Sequence, residues 1–242
     1  MIIYRGPSKL DGKPIVMIAT GLADKSKNAK TGGEVQTWIL ADTGNGPSAD
    51  SKSGADVSVC GHCIHRASVR AEYKLAADPS FKVQPPCYVL LYQAPRSVYD
   101  AYARGSYQDI SGDRAAIRRA FRGFVVRAGS YGDPCAAPSE VWQDVYFYAA
   151  GGTGYSHQWR KYGLRGFAKF AMASVDTPEE RAEANAKGWR TFRVKAKTDP
   201  VLEGEVVCPA SKEAGHKTTC FLCQACSGTM GRGHSDIVIN AH

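Results

Sequence analysis

The chain has 242 residues, 43% of them hydrophobic, which suits one large domain or two small ones and makes a packed core the expectation rather than disorder. No run of roughly eighteen apolar residues appears, and the opening MIIYRGPSKLDGKP lacks the apolar stretch of a secretory signal, so a cytoplasmic protein without a membrane partner is expected. The net charge of +8 permits a polyanionic partner without requiring one.

In chain order, the first thirty-five residues are polar and Gly/Lys-rich around a short apolar stretch, Ile15 to Ile18. A strand is predicted at Gln36 to Ala41 (QTWILA), followed by a Gly/Ser/Asp loop, Asp42 to Gly54, that delivers the chain to Cys60. Pro85 and Pro86 break the chain before Cys87. Helices are predicted from Pro95 to Arg104 and from a Ser111 N-cap to Arg122, with Asp113 in its first turn. Phe124 to Ala128 (FVVRA) reads as a buried strand ending in the loop Gly129 to Pro134 (GSYGDP). A helix from Pro138 to Ala149 stops at Gly151 and Gly152. Gly154 to Trp159 and Phe170 to Val175 are the next strands. Thr177 then caps a helix with Pro178 at N1 and Glu180 at N3, which ends at Gly188. Thr191 to Val194, Val206 to Cys208 and Asp236 to Asn240 complete the strands.

Short apolar strands alternating with helices of about a dozen residues predict βα units and a parallel sheet. The expected fold class is α/β, a (β/α) barrel, complete or incomplete, with cysteine-bearing loops. No Gly-rich dinucleotide fingerprint follows the first strand, which argues against a doubly wound sheet. Residues 1–242 read as a single barrel-like domain with a cysteine-rich insert at 42–94 and a C-terminal cysteine-rich segment at 206–230. Barrel chemistry sits at the C-terminal ends of strands. Polar residues recur there: GSYGDP, Ser156/His157, Ser174/Asp176, Lys195/Lys197, Cys208 and His242.

The eight cysteines carry the strongest chemical signal. In a reducing compartment clustered cysteines more often bind metal or do redox work than form disulfides. Cys220, Cys223 and Cys226 form C-x-x-C-x-x-C, with Cys208-Pro209 upstream. Structural zinc normally takes its cysteines in pairs from two knuckles. Three cysteines at successive spacings of three instead suit a [4Fe–4S] cluster, as in bacterial ferredoxins, where a remote Cys-Pro completes the set. Here Cys208-Pro209 supplies that element, although it precedes the run, and zinc is the alternative. The second set is Cys60, Cys63 and Cys87. Three thiolates would leave one iron of a second cluster open to a substrate or cofactor. The alternatives are a fourth ligand from Cys135, or a zinc site completed by His62 or His65.

The stretches QTWILADTGN, CGHCIHR, CYV, FVVRAGSYGDP, GYSHQW, ASVDTPEE, CPAS and CFLCQACSG together resemble an uncharacterised family of bacteriophage-encoded, cysteine-rich proteins. The resemblance spans most of the chain and implies the cysteine framework without naming a reaction. More distantly, the layout is similar to radical S-adenosylmethionine enzymes, which place a three-cysteine cluster after the first barrel strand. That resemblance implies a bound S-adenosylmethionine whose amino group meets a loop after the second strand, a role open to Gly132 and Asp133. The chain departs from it in lacking C-x-x-x-C-x-x-C, since Cys87 lies far from Cys60 and Cys63.

Asp133 and His157 are the candidate catalytic groups, His157 as a proton-transfer residue at a strand end. A structural role is the alternative for each. For Asp176, beside the Thr177 cap, the structural role is preferred. His62 and His65 flank Cys63, where they either tune cluster sulfurs or face solvent. Arg114, Arg118 and Arg122 share a helix face with Arg119 beside them. With Arg160, Lys161, Arg165 and Lys169 they make either a phosphate-binding surface or a solvated barrel exterior. Tyr99, Tyr102, Tyr107, Tyr146 and Tyr148 read as packing residues. Two functions follow. One is an iron–sulfur protein with one or two [4Fe–4S] clusters, acting as a redox or radical enzyme at the barrel mouth on an unidentified substrate. The other is a non-enzymatic, metal-stabilised phage protein that binds nucleic acid or a host protein.

Overall fold

In the computed structural model, which describes residues 1–24, 28–67, 87–161, 165–231 and 233–241, the βα series is built onto an antiparallel start. Strands β1 (Ile2–Pro7), β2 (Pro14–Thr20) and β3 (Val35–Ala41) pair antiparallel in turn. Every later pairing is parallel: β4 (Val125–Tyr131), β5 (Gly151–Ser156), β6 (Met172–Val175), β7 (Thr191–Lys195), β8 (Glu205–Val207) and β9 (Asp236–Asn240). Their order is β1-β2-β3-β4-β5-β6-β7-β9-β8. The fold is therefore mixed α/β on one nine-stranded, mostly parallel sheet. Its edges β1 and β8 do not pair with each other, so the sheet is open among the described residues and the expected closure is absent.

The described helices are α1 (Pro47–Ser53), α2 (Val57–Cys60), α3 (Ala94–Ala103), α4 (Arg114–Ala120), α5 (Ser139–Tyr146), α6 (Pro178–Ala186) and α7 (Cys220–Cys223). None is long and apolar enough to cross a membrane. Alternate residues of β6 separate the two faces of the sheet. Ala173 and Val175 join the main core with Trp142 and Val145 of α5, Ala184 of α6, and Trp189. Met172 points the other way, into a second core with Cys208, Cys226, Ile237 and Ile239. The C-terminal cysteine segment thus covers the face that these helices leave bare.

Several elements differ from the sequence reading. β1 was missed because its burial alternates and it pairs with β2 alone among the strands, so no apolar run marks it. β5 begins at Gly151, three residues early, because the glycines that read as a helix stop are themselves strand residues. The short helices α1 and α2 occupy what read as loop before Cys60. The cap of α4 is Asp113, whose Oδ1 accepts from Ala116 N at 2.9 Å, rather than Ser111. The Thr177 cap holds, with Oγ1 accepting from Glu180 N at 3.2 Å, but the Glu180 carboxylate turns to Asp176 N at 2.8 Å.

Trp142 fixes the loop after β4 from below: its ring is fully buried and Nε1 donates to Pro134 O at 2.8 Å. Truncating a buried aromatic side chain of this size costs about 3–5 kcal/mol. Trp142→Ala is expected to lower unfolding stability by that amount in urea titration, with an unchanged far-ultraviolet spectrum at zero denaturant.

Candidate metal centre

The N-terminal cysteine loop lies on the C-terminal rim of the sheet. Cys60 closes α2, and Gly61 turns the chain with φ +57°, where a Cβ would stand 2.4 Å from Gln158 Oε1. Only glycine fits such a turn without strain. Gln158 Nε2 donates to Cys60 O at 3.0 Å, and Asp133 N donates to Val59 O at 2.6 Å, so the segments after β4 and β5 both grip the loop. Arg66, buried at 8% exposure, staples it from within. Its guanidinium donates to Gly61 O at 2.8 Å and Gly54 O at 3.0 Å and pairs with Asp56. Cys63 N bonds Cys60 O at 3.2 Å, and Cys87 N returns to His65 O at 3.3 Å, bringing the third thiol alongside.

The C-terminal set gathers from two segments. Cys208 leaves the end of β8 with its N–H on Val238 O at 2.8 Å. Cys220 and Cys223 bracket the single turn of α7, pinned by Cys220 N to Lys30 O (2.9 Å) and Phe221 N to Thr31 O (3.1 Å). Gln224, at φ +51°, then reverses the chain to Cys226, whose carbonyl accepts from Gly154 N at 3.1 Å. Arg190 ties the end of this segment down through Ala225 O at 3.0 Å and Gly228 O at 2.9 Å.

Within each set the thiols repel one another. Burial first, then the charges of Cys63, Asp56 and Cys87, holds Cys60 well above the usual thiol range. Burial pushes Cys63 up to about 11, with His65 pulling the other way. Cys226 is pushed up to about 12, by burial and then by Cys208, Cys220 and Cys223, against a hydrogen bond from Tyr155. Burial likewise takes Cys220 to about 11. Backbone N–H groups two residues on (His65, Val89 and Ala210) favour the thiolates of Cys63, Cys87 and Cys208. Loops that donate to sulfur while burying it are suited to thiolates neutralised by a metal.

A tetrahedral zinc with bonds of about 2.3 Å sets its sulfurs about 3.8 Å apart. Among the described residues the group of three or more possible ligands converging within 4.8 Å is His65, His157 and Asp176, and no cysteine trio does so. Within each set the cysteines are close enough to raise one another's pKa. Arg127, on β4, lies between the two sets. It donates to Tyr88 OH at 2.9 Å, beside Cys87, stacks over Tyr155 at 5.5 Å, and offsets the charge of Cys220.

The other expected residues distribute differently. Asp133 is buried and accepts from Cys135 N (2.9 Å), Ser156 Oγ (2.8 Å) and His157 N (2.8 Å), so it organises the rim. Gly132, at φ +82°, lets the loop pass Ile39 O, 2.8 Å from where a Cβ would stand. Cys135 sits in the core, its sulfur 3.2 Å from Ser156 Oγ. His157 comes to the rim beside His65 and Asp176. Lys195 Nζ turns into its own loop, on Asp199 O at 2.7 Å; His242 lies outside the described residues. Arg114 and Arg118 both pair with buried Asp144 at 2.8 and 2.6 Å, and Arg160 pairs with Glu180 and Glu183. Tyr146 packs on Phe170, as expected of a core residue. Sequence reading missed Arg66, Gln158, Arg127 and Tyr155, though Arg66 ends the CGHCIHR stretch and Gln158 lies in GYSHQW.

No protein family matches the chain, and no curated protein or solved structure resembles it beyond chance.

Removing one partner of a buried ion pair costs about 3–5 kcal/mol. Arg66→Ala is expected to lose that much stability in denaturant titration. An equal loss from an exposed control such as Arg96→Ala would refute the staple.

Proposed function

We propose that the chain is an iron–sulfur protein. In this reading a [4Fe–4S] cluster is held by Cys208, Cys220, Cys223 and Cys226, and a second, three-thiolate cluster by Cys60, Cys63 and Cys87. The single observation that carries the reading is the C-terminal set: four thiols gathered from two segments, three of them buried, with Cys208, Cys220 and Cys223 all close enough to push the Cys226 thiol up. A cluster there would supply electron transfer, and an open iron at the rim would supply a ligand-exchange position. The one-directional order of β3 to β7 supports an opened (β/α)-barrel wall, with the N-terminal set at the mouth and a redox or radical reaction the matching activity. S-adenosylmethionine is the ligand to try at the open iron. Asp133, with three hydrogen bonds already accepted, is a weaker anchor for its amino group than the sequence suggested.

A metal-stabilised, nucleic-acid-binding protein is the second reading. It draws on Arg118 and Arg122 stacked at 4.1 and 4.0 Å on the exposed rings of Phe147 and Tyr148, a pairing of charge and aromatic surface that suits single strands.

Anaerobic purification followed by iron, sulfide and zinc quantification tests the first reading. Iron and sulfide in equal amounts are expected, with the C-terminal share lost in the Cys220→Ala, Cys223→Ala double variant. Zinc without iron, or full iron in the double variant, would overturn it.

A further inference from the structure

The loop that carries Cys63 also delivers a histidine to the ends of β5 and β6. His65 Nε2 stands 3.6 Å from Asp176 Oδ2, and both side chains are nearly buried, at 12% and 7% exposure. His157, the residue after β5, completes a trio whose ligand atoms all lie within 4.8 Å of one another. The two imidazoles meet edge to face, with centroids 5.4 Å apart.

Three features point to a ligand here. The His65–Asp176 separation is that of an ion pair when the imidazole is protonated. It matches the roughly 3.4 Å edge between nitrogen and oxygen ligands on a tetrahedral ion with bonds of about 2.1 Å. His157 Nε2 is buried and has no hydrogen-bond partner, a loss of about 1–3 kcal/mol unless something fills the site. The groups come from three separate segments, and two are fixed by backbone bonds: His157 N to Asp133 Oδ2 at 2.8 Å, and Asp176 N to Glu180 Oε2 at 2.8 Å.

We infer that His65, His157 and Asp176 form a mononuclear site for a divalent first-row transition metal, separate from the cysteine sets. Two imidazoles and one carboxylate leave coordination positions open, the donor set of non-haem iron and of catalytic zinc. Such an ion would hold a water or an anionic substrate group at the rim, next to the Cys60–Cys63 loop. The inference does not rest on the iron–sulfur reading, because its donors carry no sulfur.

The probe is Co(II) chloride, titrated anaerobically into the full chain after removal of loosely bound metal. Nitrogen and oxygen ligands give weak visible bands, whereas thiolates add an intense near-ultraviolet charge-transfer band. The wild type is expected to develop the visible bands and to melt at higher temperature with Co(II). His157→Gln and Asp176→Asn are expected to lose both effects while keeping their metal-free melting temperature, Asp176→Asn preserving side-chain size. Bands that survive both substitutions would overturn the site. So would Co(II) bound only with a charge-transfer band that Cys63→Ser abolishes. Absence of iron and sulfide would remove the cluster reading and leave this titration unaffected.

Discussion

A thiolate buried beside other thiolates is unstable unless a cation shares the site, and much of this molecule is arranged around that constraint. Burial holds Cys60, Cys63, Cys220 and Cys226 above the normal thiol range, and their neighbours raise most of them further. Yet the chain invests structure in keeping them together. Arg66 staples one loop, Arg190 and the Lys30–Thr31 segment hold the other, and backbone N–H groups aim at three sulfurs. Without metal these contacts gather groups that repel. With a metal bound, as proposed, they would form a shell that orients ligands.

The sheet assigns the two sets different surroundings. One-directional winding leaves the helices α5 and α6 with one face, and the C-terminal cysteines pack against the other through Met172, Ile237 and Ile239. The N-terminal set instead docks on strand ends, where Asp133, His157 and Asp176 follow β4, β5 and β6 in turn. The first arrangement suits a structural or electron-relaying centre. The second meets the polar groups that could handle a substrate. Arg127 connects them, since alternation along β4 turns it away from the helices and toward Tyr155 and Tyr88.

Much of this was legible in the sequence. The parallel series from Gln36 onward, the Thr177 cap and the strand at Asp236–Asn240 follow from apolar period and local capping, which are short-range signals. What was not legible depended on distant partners. β1 is recognisable only through its pairing with β2, and Arg66 reads as a surface charge until Asp56 and two carbonyls surround it. Asp176 looked like a helix-entry residue, and its backbone does serve that role. Its carboxylate gains a second one only because the cysteine loop brings His65 across to it.

The central proposal is that each gathered set of thiols holds a multi-iron cluster rather than a single ion. Iron-edge and zinc-edge X-ray absorption on the anaerobically purified chain tests it most directly. The account predicts an iron edge with a sulfur-dominated first shell and a clear iron–iron scattering shell. A zinc edge with four sulfurs in the first shell and no metal–metal scattering would contradict it.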